Sequence, residues 1–384
     1  MKNAFLAASA ILALGTPLAF ADTQWSANFP TPGSWATPAN WTNNVPSPTS
    51  TAYFVNNSPF QHHLQLFGTT QTLFGFYFGS GSGTVGFFID EGGTASQFNL
   101  RAGGTANGIF NGDGYAQTFD VPIAMFSQNG FAGSLAAQTW NAAGGGLIFS
   151  GIYSASSATI NNNGGRLSFD GTFNITIGNT NLDGSGATGR GDIVGTGGLT
   201  KSGSGTLRLG GNTANSYSGT TIVNAGTLLA GKANALGSSS QLQMNGGTFR
   251  VTGPLGTSGQ TNGSTTLNIQ GGPGTVFMDF GNGGNTNYIS FANSSGVSWA
   301  ANGELDILNW NSANTNFFRV GTTSGGLTAV QLAHIQYPDI PGITGAQIDS
   351  AGFVTPVPEP SAVVLSIVGG FGLAIGFIYR RKKF

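Results

Sequence analysis

The sequence predicts an all-β chain, a right-handed parallel β-helix (solenoid) with a C-terminal transmembrane helix. Three observations predict it. Gly205-Thr206-Leu207-Arg208-Leu209, Gly226-Thr227-Leu228-Leu229-Ala230 and Gly247-Thr248-Phe249-Arg250-Val251 recur in two equal steps, from Gly205 to Gly226 and from Gly226 to Gly247. A fixed short period with one apolar strand per repeat is what stacked coils require, because each coil buries its inward side chains against its neighbours. Leu207, Leu228 and Phe249 are therefore expected one above another. The second observation is composition: 64 Gly among 384 residues and only 7% charged residues, yet 29 Phe, which supply the apolar area that a disordered chain lacks. The third is the apolar stretch 362–379 near the C-terminus, long enough as a helix to cross a bilayer core.

The chain contains no cysteine, which excludes disulfides, thiolate catalysis and thiolate metal sites. No cofactor or metal motif is expected. Of the thirteen basic residues, Lys2, Arg380, Arg381, Lys382 and Lys383 lie at the two ends, so eight face 14 acids between Asp22 and Pro360, a net charge of −6. That balance disfavours nucleic acid as a partner.

Residues 1–21 read as a signal peptide: Lys2 gives the positive start, Ala4 to Leu14 the apolar core, and Ala19-Phe20-Ala21 the small-x-small cleavage site at Ala19 and Ala21. The body then runs over 22–354, with its clearest repeats at 197–253. Trp25, Trp35 and Trp41 cluster at its start. A solenoid must cover its first coil and aromatic rings do so economically, so capping is the favoured reading; a carbohydrate platform for an adhesin is the rival.

From Thr51 to Phe110 short aromatic strands alternate with glycine corners without a clean period, as irregular coils or a capping sheet would. His62 and His63 are neighbours in a strand and point to opposite faces, which argues against joint metal chelation. Gly165, close to two periods before Gly205, opens what reads as an earlier, looser copy of the repeat strand. Asn111-Gly112-Asp113-Gly114 and Gly189-Arg190-Gly191-Asp192 faintly resemble calcium-binding turns but lack the tandem copies such sites need.

In Gly303 to Trp310, Glu304 and Asp306 share a face with carboxylates about 7 Å apart by strand rise. That is a spacing an inverting glycosidase could use, and it motivates the alternative of a β-helical polysaccharide lyase or glycoside hydrolase. Two solvated acids are the plainer reading. Thr328 is expected to N-cap a short helix ending near His334.

Two resemblances follow. Gly197-Gly198-Leu199-Thr200-Lys201-Ser202-Gly203-Ser204-Gly205-Thr206-Leu207-Arg208-Leu209 with Tyr217-Ser218-Gly219-Thr220-Thr221-Ile222-Val223-Asn224-Ala225-Gly226-Thr227-Leu228 resembles the autotransporter-associated β-strand, or passenger-associated transport, repeat. The resemblance implies an exported β-helical protein, at the surface or secreted, without implying any catalytic activity. Val357-Pro358-Glu359-Pro360-Ser361, the span 362–379 and the bases of 380–384 resemble the tripartite PEP-CTERM sorting signal. It implies recognition of Pro358, Glu359 and Pro360 by an exosortase-type protease, with Arg380, Arg381, Lys382 and Lys383 as a cytoplasmic stop. Residues 355–361 read as a Pro-rich linker carrying that motif. Together the resemblances imply a membrane-anchored precursor delivered to the surface or matrix of a Gram-negative bacterium, in association with exopolysaccharide or biofilm.

Overall fold

The computed structural model describes residues 23–25, 33–55, 62–80, 85–92, 95–101, 107–125, 137–150, 159–163, 166–178, 191–211, 214–232, 234–237, 241–251, 260–262, 264–281, 287–311 and 316–358. Its strands form a parallel β-solenoid. A ten-stranded first sheet runs from Thr23–Gln24 to Thr266–Ile269, and a twelve-stranded second sheet from Gly33–Ser34 to Ile335–Gln336. The third side carries two five-stranded sheets, one containing Thr70–Leu73 to Asp192–Val194 and the other Gln260–Asn262 to Ile343–Ile348.

The expected stack is present: Leu207 pairs in register with Leu228, and Leu228 with Phe249. That short step holds there alone among the described ladders of the second sheet. Elsewhere the steps are longer and unequal: Phe119 pairs with Phe149, Phe149 with Ile177, Ile177 with Leu209, and Phe249 with Met278. The physical reason is the third side. Longer coils add a strand there, such as Ile123–Met125 or Thr159–Asn161, whereas residues 210–220 and 231–240 hold no strand among their described residues.

Three readings change accordingly. The strand Leu167–Gly171 is not a looser copy of the 205 strand: it lies in the first sheet and pairs with Leu199–Lys201, while Thr206–Leu209 pairs with Ile175–Ile177 of the second. Alternating apolar residues after glycine serve both sheets, so the pattern does not say which side a strand occupies. Of the two alternatives for the strands from Thr51 onward, they are coils of the solenoid with unequal steps, and the capping sheet is dropped. The run 72–78 turns a corner at Phe74, whose N–H donates to Ser50 O at 2.9 Å, dividing Thr70–Leu73 from Gly75–Gly79.

Inward residues form one continuous core. Phe54, Phe76, Phe78, Phe98, Phe119, Trp140, Phe149 and Phe169 are fully buried in the long coils, and Leu207, Leu228, Val223, Leu242 and Met244 fill the short ones. Most of the large buried rings sit in coils that carry a third strand, Tyr217 of a short coil being an exception. Corners pack backbone on backbone: at Gly226, with φ +66°, a Cβ would stand 2.3 Å from Gly203 O and 2.4 Å from Gly205 O.

Both described ends are covered. Trp25, Trp35 and Trp41 are at most 6% exposed, so their rings cannot present faces to a sugar, and the platform reading is overturned. Trp35 lies 4.7 Å from Trp41 and 4.9 Å from Phe98, and Trp41 Nε1 donates to Trp35 O at 2.9 Å. At the far end, Trp299 Nε1 donates to Leu267 O on the last strand of the first sheet. The helix Ala329–Ala333 starts as expected at Thr328, in a reciprocal capping box with Gln331, and ends at His334. An antiparallel hairpin, Ile343–Ile348 with Phe353–Pro358, then breaks the parallel pattern.

Residues 355–358, read from sequence as the start of a linker, are therefore paired strand. Among the described residues no helix is long and apolar enough to cross a membrane. The expected span 362–379, the signal segment 1–21 with Ala19 and Ala21, Glu359, Pro360, and the bases Arg380, Arg381, Lys382 and Lys383 lie outside the described residues.

Trp35→Ala is expected to cost about 3–5 kcal/mol, as for other large-to-small changes at buried aromatics. Because coil stability is nearest-neighbour in character, denaturant should melt the N-terminal coils first in the variant. Hydrogen-exchange loss confined to coils before residue 125 is the expected readout; uniform loss along the chain would contradict it.

Candidate functional site

The most specialised chemistry in the described residues is a set of cations and amides, at different corners of successive coils, bonded to backbone between Arg166 and Lys232. Alternation along Leu199–Lys201 puts Leu199 and Lys201 on the same inward face, so Lys201 occupies a core position, paired between Phe169 and Val223. Its stem is buried and its ammonium reaches the corner, donating to Gly203 O in its own coil and to Ala225 O, 3.4 Å away, in the next. Arg166 Nη1 donates to Leu199 O at 3.0 Å and Thr220 O at 3.1 Å, which again lie in successive coils. Lys232 Nζ donates to Gly191 O at 3.1 Å.

Asn215 lies on the strandless third side. Its Oδ1 accepts from Ile193 N at 3.0 Å and its Nδ2 donates to Ala235 O, so one side-chain amide replaces the peptide group that a strand would have placed there. Tyr217 is fully buried beside it and its hydroxyl bonds Thr221 Oγ1 at 2.8 Å.

Burial pushes the Lys201 ammonium down to about 8, with Asp170 opposing, and Lys232 likewise to about 8, with Asp192 opposing. Burial also lowers Arg166. Tyr217 is shifted upward by burial, against the opposing bond to Thr221, and Tyr337 upward by burial. Each lysine donates to backbone carbonyl oxygen, which helps to explain how a chain so poor in charged residues keeps buried cations.

The sequence-predicted site residues do not converge. His63 bonds Asp90 at 2.8 Å and stands edge-on to Phe88 at 4.9 Å; the side chain of His62 lies outside the description. Among the described residues no group of three His, Asp or Glu is placed to hold a metal ion. At the 111–114 turn, Asp113 N donates to Asn111 Oδ1 and Gln117 Nε2 donates to Asp113 Oδ2, both at 3.0 Å, so the carboxylate locks a corner. Gly189 and Arg190 lie outside the described residues, and Asp192 is buried.

Glu304 precedes the strand Leu305–Leu308, which is shorter than expected, and Asp306 pairs between Phe277 and Gln336. Burial first, then the neighbouring Glu304 charge, raises the Asp306 carboxyl. Pro358 is exposed at the end of the closing hairpin. Sequence reasoning missed the roles of Lys201 and Asn215. The signal was available for Lys201, a lysine two positions from an inward leucine in a short strand; for Asn215 it was not, because nothing local says that a side chain replaces a ladder bond.

The buried groups fix a pH profile. Between about 8 and 10.5 the unfolded chain holds protons that folded Lys201 and Lys232 have released, so stability rises with pH. From about pH 10 an opposing contribution enters and then takes over, because unfolded tyrosines ionise while Tyr217 and Tyr337 retain their protons. The denaturation midpoint is thus expected to climb from pH 8 to a maximum near pH 10 and then fall, with Lys201→Met showing a shallower climb. An equal climb in the variant would contradict the shift at Lys201.

No curated protein and no solved structure matches the chain. Residues 199–230 match the family model of the Passenger-associated-transport-repeat, a stretch that contains Lys201, Asn215 and Tyr217 and the strands of the first short step. The repeat and the β-solenoid together fit an autotransporter-like passenger, the exported surface protein of a Gram-negative bacterium.

Proposed function

We propose that this chain is an exported, non-catalytic structural protein, a stiff and weakly charged rod of the cell surface or extracellular polysaccharide matrix. Its precursor is held in the inner membrane by 362–379, with Arg380, Arg381, Lys382 and Lys383 on the cytoplasmic side. Pro358, Glu359 and Pro360 then sort it through a PEP-CTERM route to an exosortase-type protease. Signal cleavage follows Ala19-Phe20-Ala21.

The observation that supports this reading is where the polar groups go. Asn245 Nδ2 donates to Asn224 Oδ1 at 2.8 Å across one coil step, and Asn268 Nδ2 to Gln241 Oε1 at 3.0 Å across another. Gln270 Nε2 reaches Asn268 Oδ1 at 2.6 Å and Ser298 O at 3.0 Å. Together with the cations on corner carbonyls, these bonds join coil to coil. Such bonding stiffens a rod along its axis, and amide ladders on an outer face also suit hydrogen bonding to neutral glycans.

The C-terminal sequence of the protein recovered from envelope and medium, read by mass spectrometry, tests the route. A terminus near Pro360, with the span and the four bases missing, is expected. A chain ending only at Phe384 would overturn sorting and leave a permanently tethered rod.

A further inference from the structure

The end of the closing hairpin carries an inference about how the tail is reached. In the strand Phe353–Pro358, Val354 pairs with Ile348, Thr355 with Gln347, Pro356 with Ala346 and Pro358 with Ile343. Phe353 N donates to Asp349 Oδ1 at 2.8 Å and Phe353 O accepts from Asp349 N at 3.0 Å, so the main-chain groups of Phe353 face the partner strand. On the other edge, Gly352 O accepts from Val320 N at 2.9 Å. Alternation then turns positions 354, 356 and 358 to that second edge. Pro356 and Pro358 consequently lack an N–H only where none is needed for the hairpin, and prolines sit in a paired strand without loss.

The first proline of the Pro-Glu-Pro triplet is thus a member of the fold. Four steps separate Pro358 from Ala362, where the apolar stretch begins, at most about 14 Å of fully extended chain. A peptidase that takes an extended segment into a cleft needs that segment free of its neighbour, and so short a connection offers no slack.

Resting on the sorting reading above, we propose that the closing hairpin gates tail processing: the strand must peel from its free end at least as far as Pro356 before the motif can be engaged. The ladder is already irregular between Ile343 and Ala346, with Gly345 at φ +148°, so the outermost pair is set apart from the rest. The pairs of Val354 with Ile348 and Phe318 stay closed during peeling and keep the last coil covered.

The absence of cysteine makes the test clean. Ala346 and Pro356 form a non-hydrogen-bonded antiparallel pair, whose Cα atoms approach to about 4.5 Å, close enough for a disulfide. Full-length precursor carrying Ala346→Cys with Pro356→Cys is followed in membranes that hold the native peptidase. Processing about tenfold slower or more when oxidised, and restored by reductant, is expected. Each single substitution should be insensitive to redox state. Thr355→Pro, which removes an N–H facing the partner strand, should be processed several-fold faster than the unaltered precursor. Equal rates for the oxidised and reduced double variant, or no acceleration by Thr355→Pro, would overturn the gate alone. An unaltered precursor that is never cut would overturn the sorting reading, and the gate with it.

Discussion

A parallel coil can satisfy its backbone only with the coil on either side, and it can hide its inward side chains only if those coils present apolar atoms at the same height. In-register stacking answers both needs at once. Leu207, Leu228 and Phe249 are at one level because their strands share hydrogen bonds, and the ladder holds because those side chains share a core. The corners, the caps and the buried polar groups all follow from keeping that register through coils of unequal length.

Unequal length creates the difficulty that the cations and amides resolve. Between the strands Asp192–Val194 and Gln260–Asn262 the described third side has no strand, so the regular ladder is interrupted: Ile193 O still accepts from Ser216 N and Tyr217 N, but Ile193 N turns to the Asn215 side chain. Asn215 supplies an amide in place of a peptide group there, and Arg166 ties carbonyls where the third side meets the first sheet, while Lys201 ties successive coils at the separate corner between the first and second sheets. A carboxylate could not do this, since it accepts and does not donate. The low charge of the chain is then intelligible: the described body has few ion pairs to make, and Arg250 with Asp279 at 3.3 Å is one of them.

Much of this was legible in the sequence, for reasons that differ by element. The short coils announce themselves because a coil with no third strand has no room for insertions, so its period survives unchanged from Gly205 through Gly226 to Gly247. Long coils vary in length at their corners, and the variation erases the period while leaving the stacking intact. That is why Leu167–Gly171 reads as a copy of the wrong strand. The tryptophan cap was legible because few residues can cover a first coil. The strand Phe353–Pro358 was not, because proline signals a linker unless the edge its nitrogen faces is known.

The most direct measurement of the stacked architecture is hydrogen exchange resolved along the chain, from Leu64 to Gln336 on the second sheet. Protection continuous through 199–251, with Leu207, Leu228 and Phe249 as slow as Phe119 and Met278, is the expected result, since the short coils share one core with the long ones. A fall in protection confined to the short coils would contradict it, and would make the chain two rods joined by a hinge.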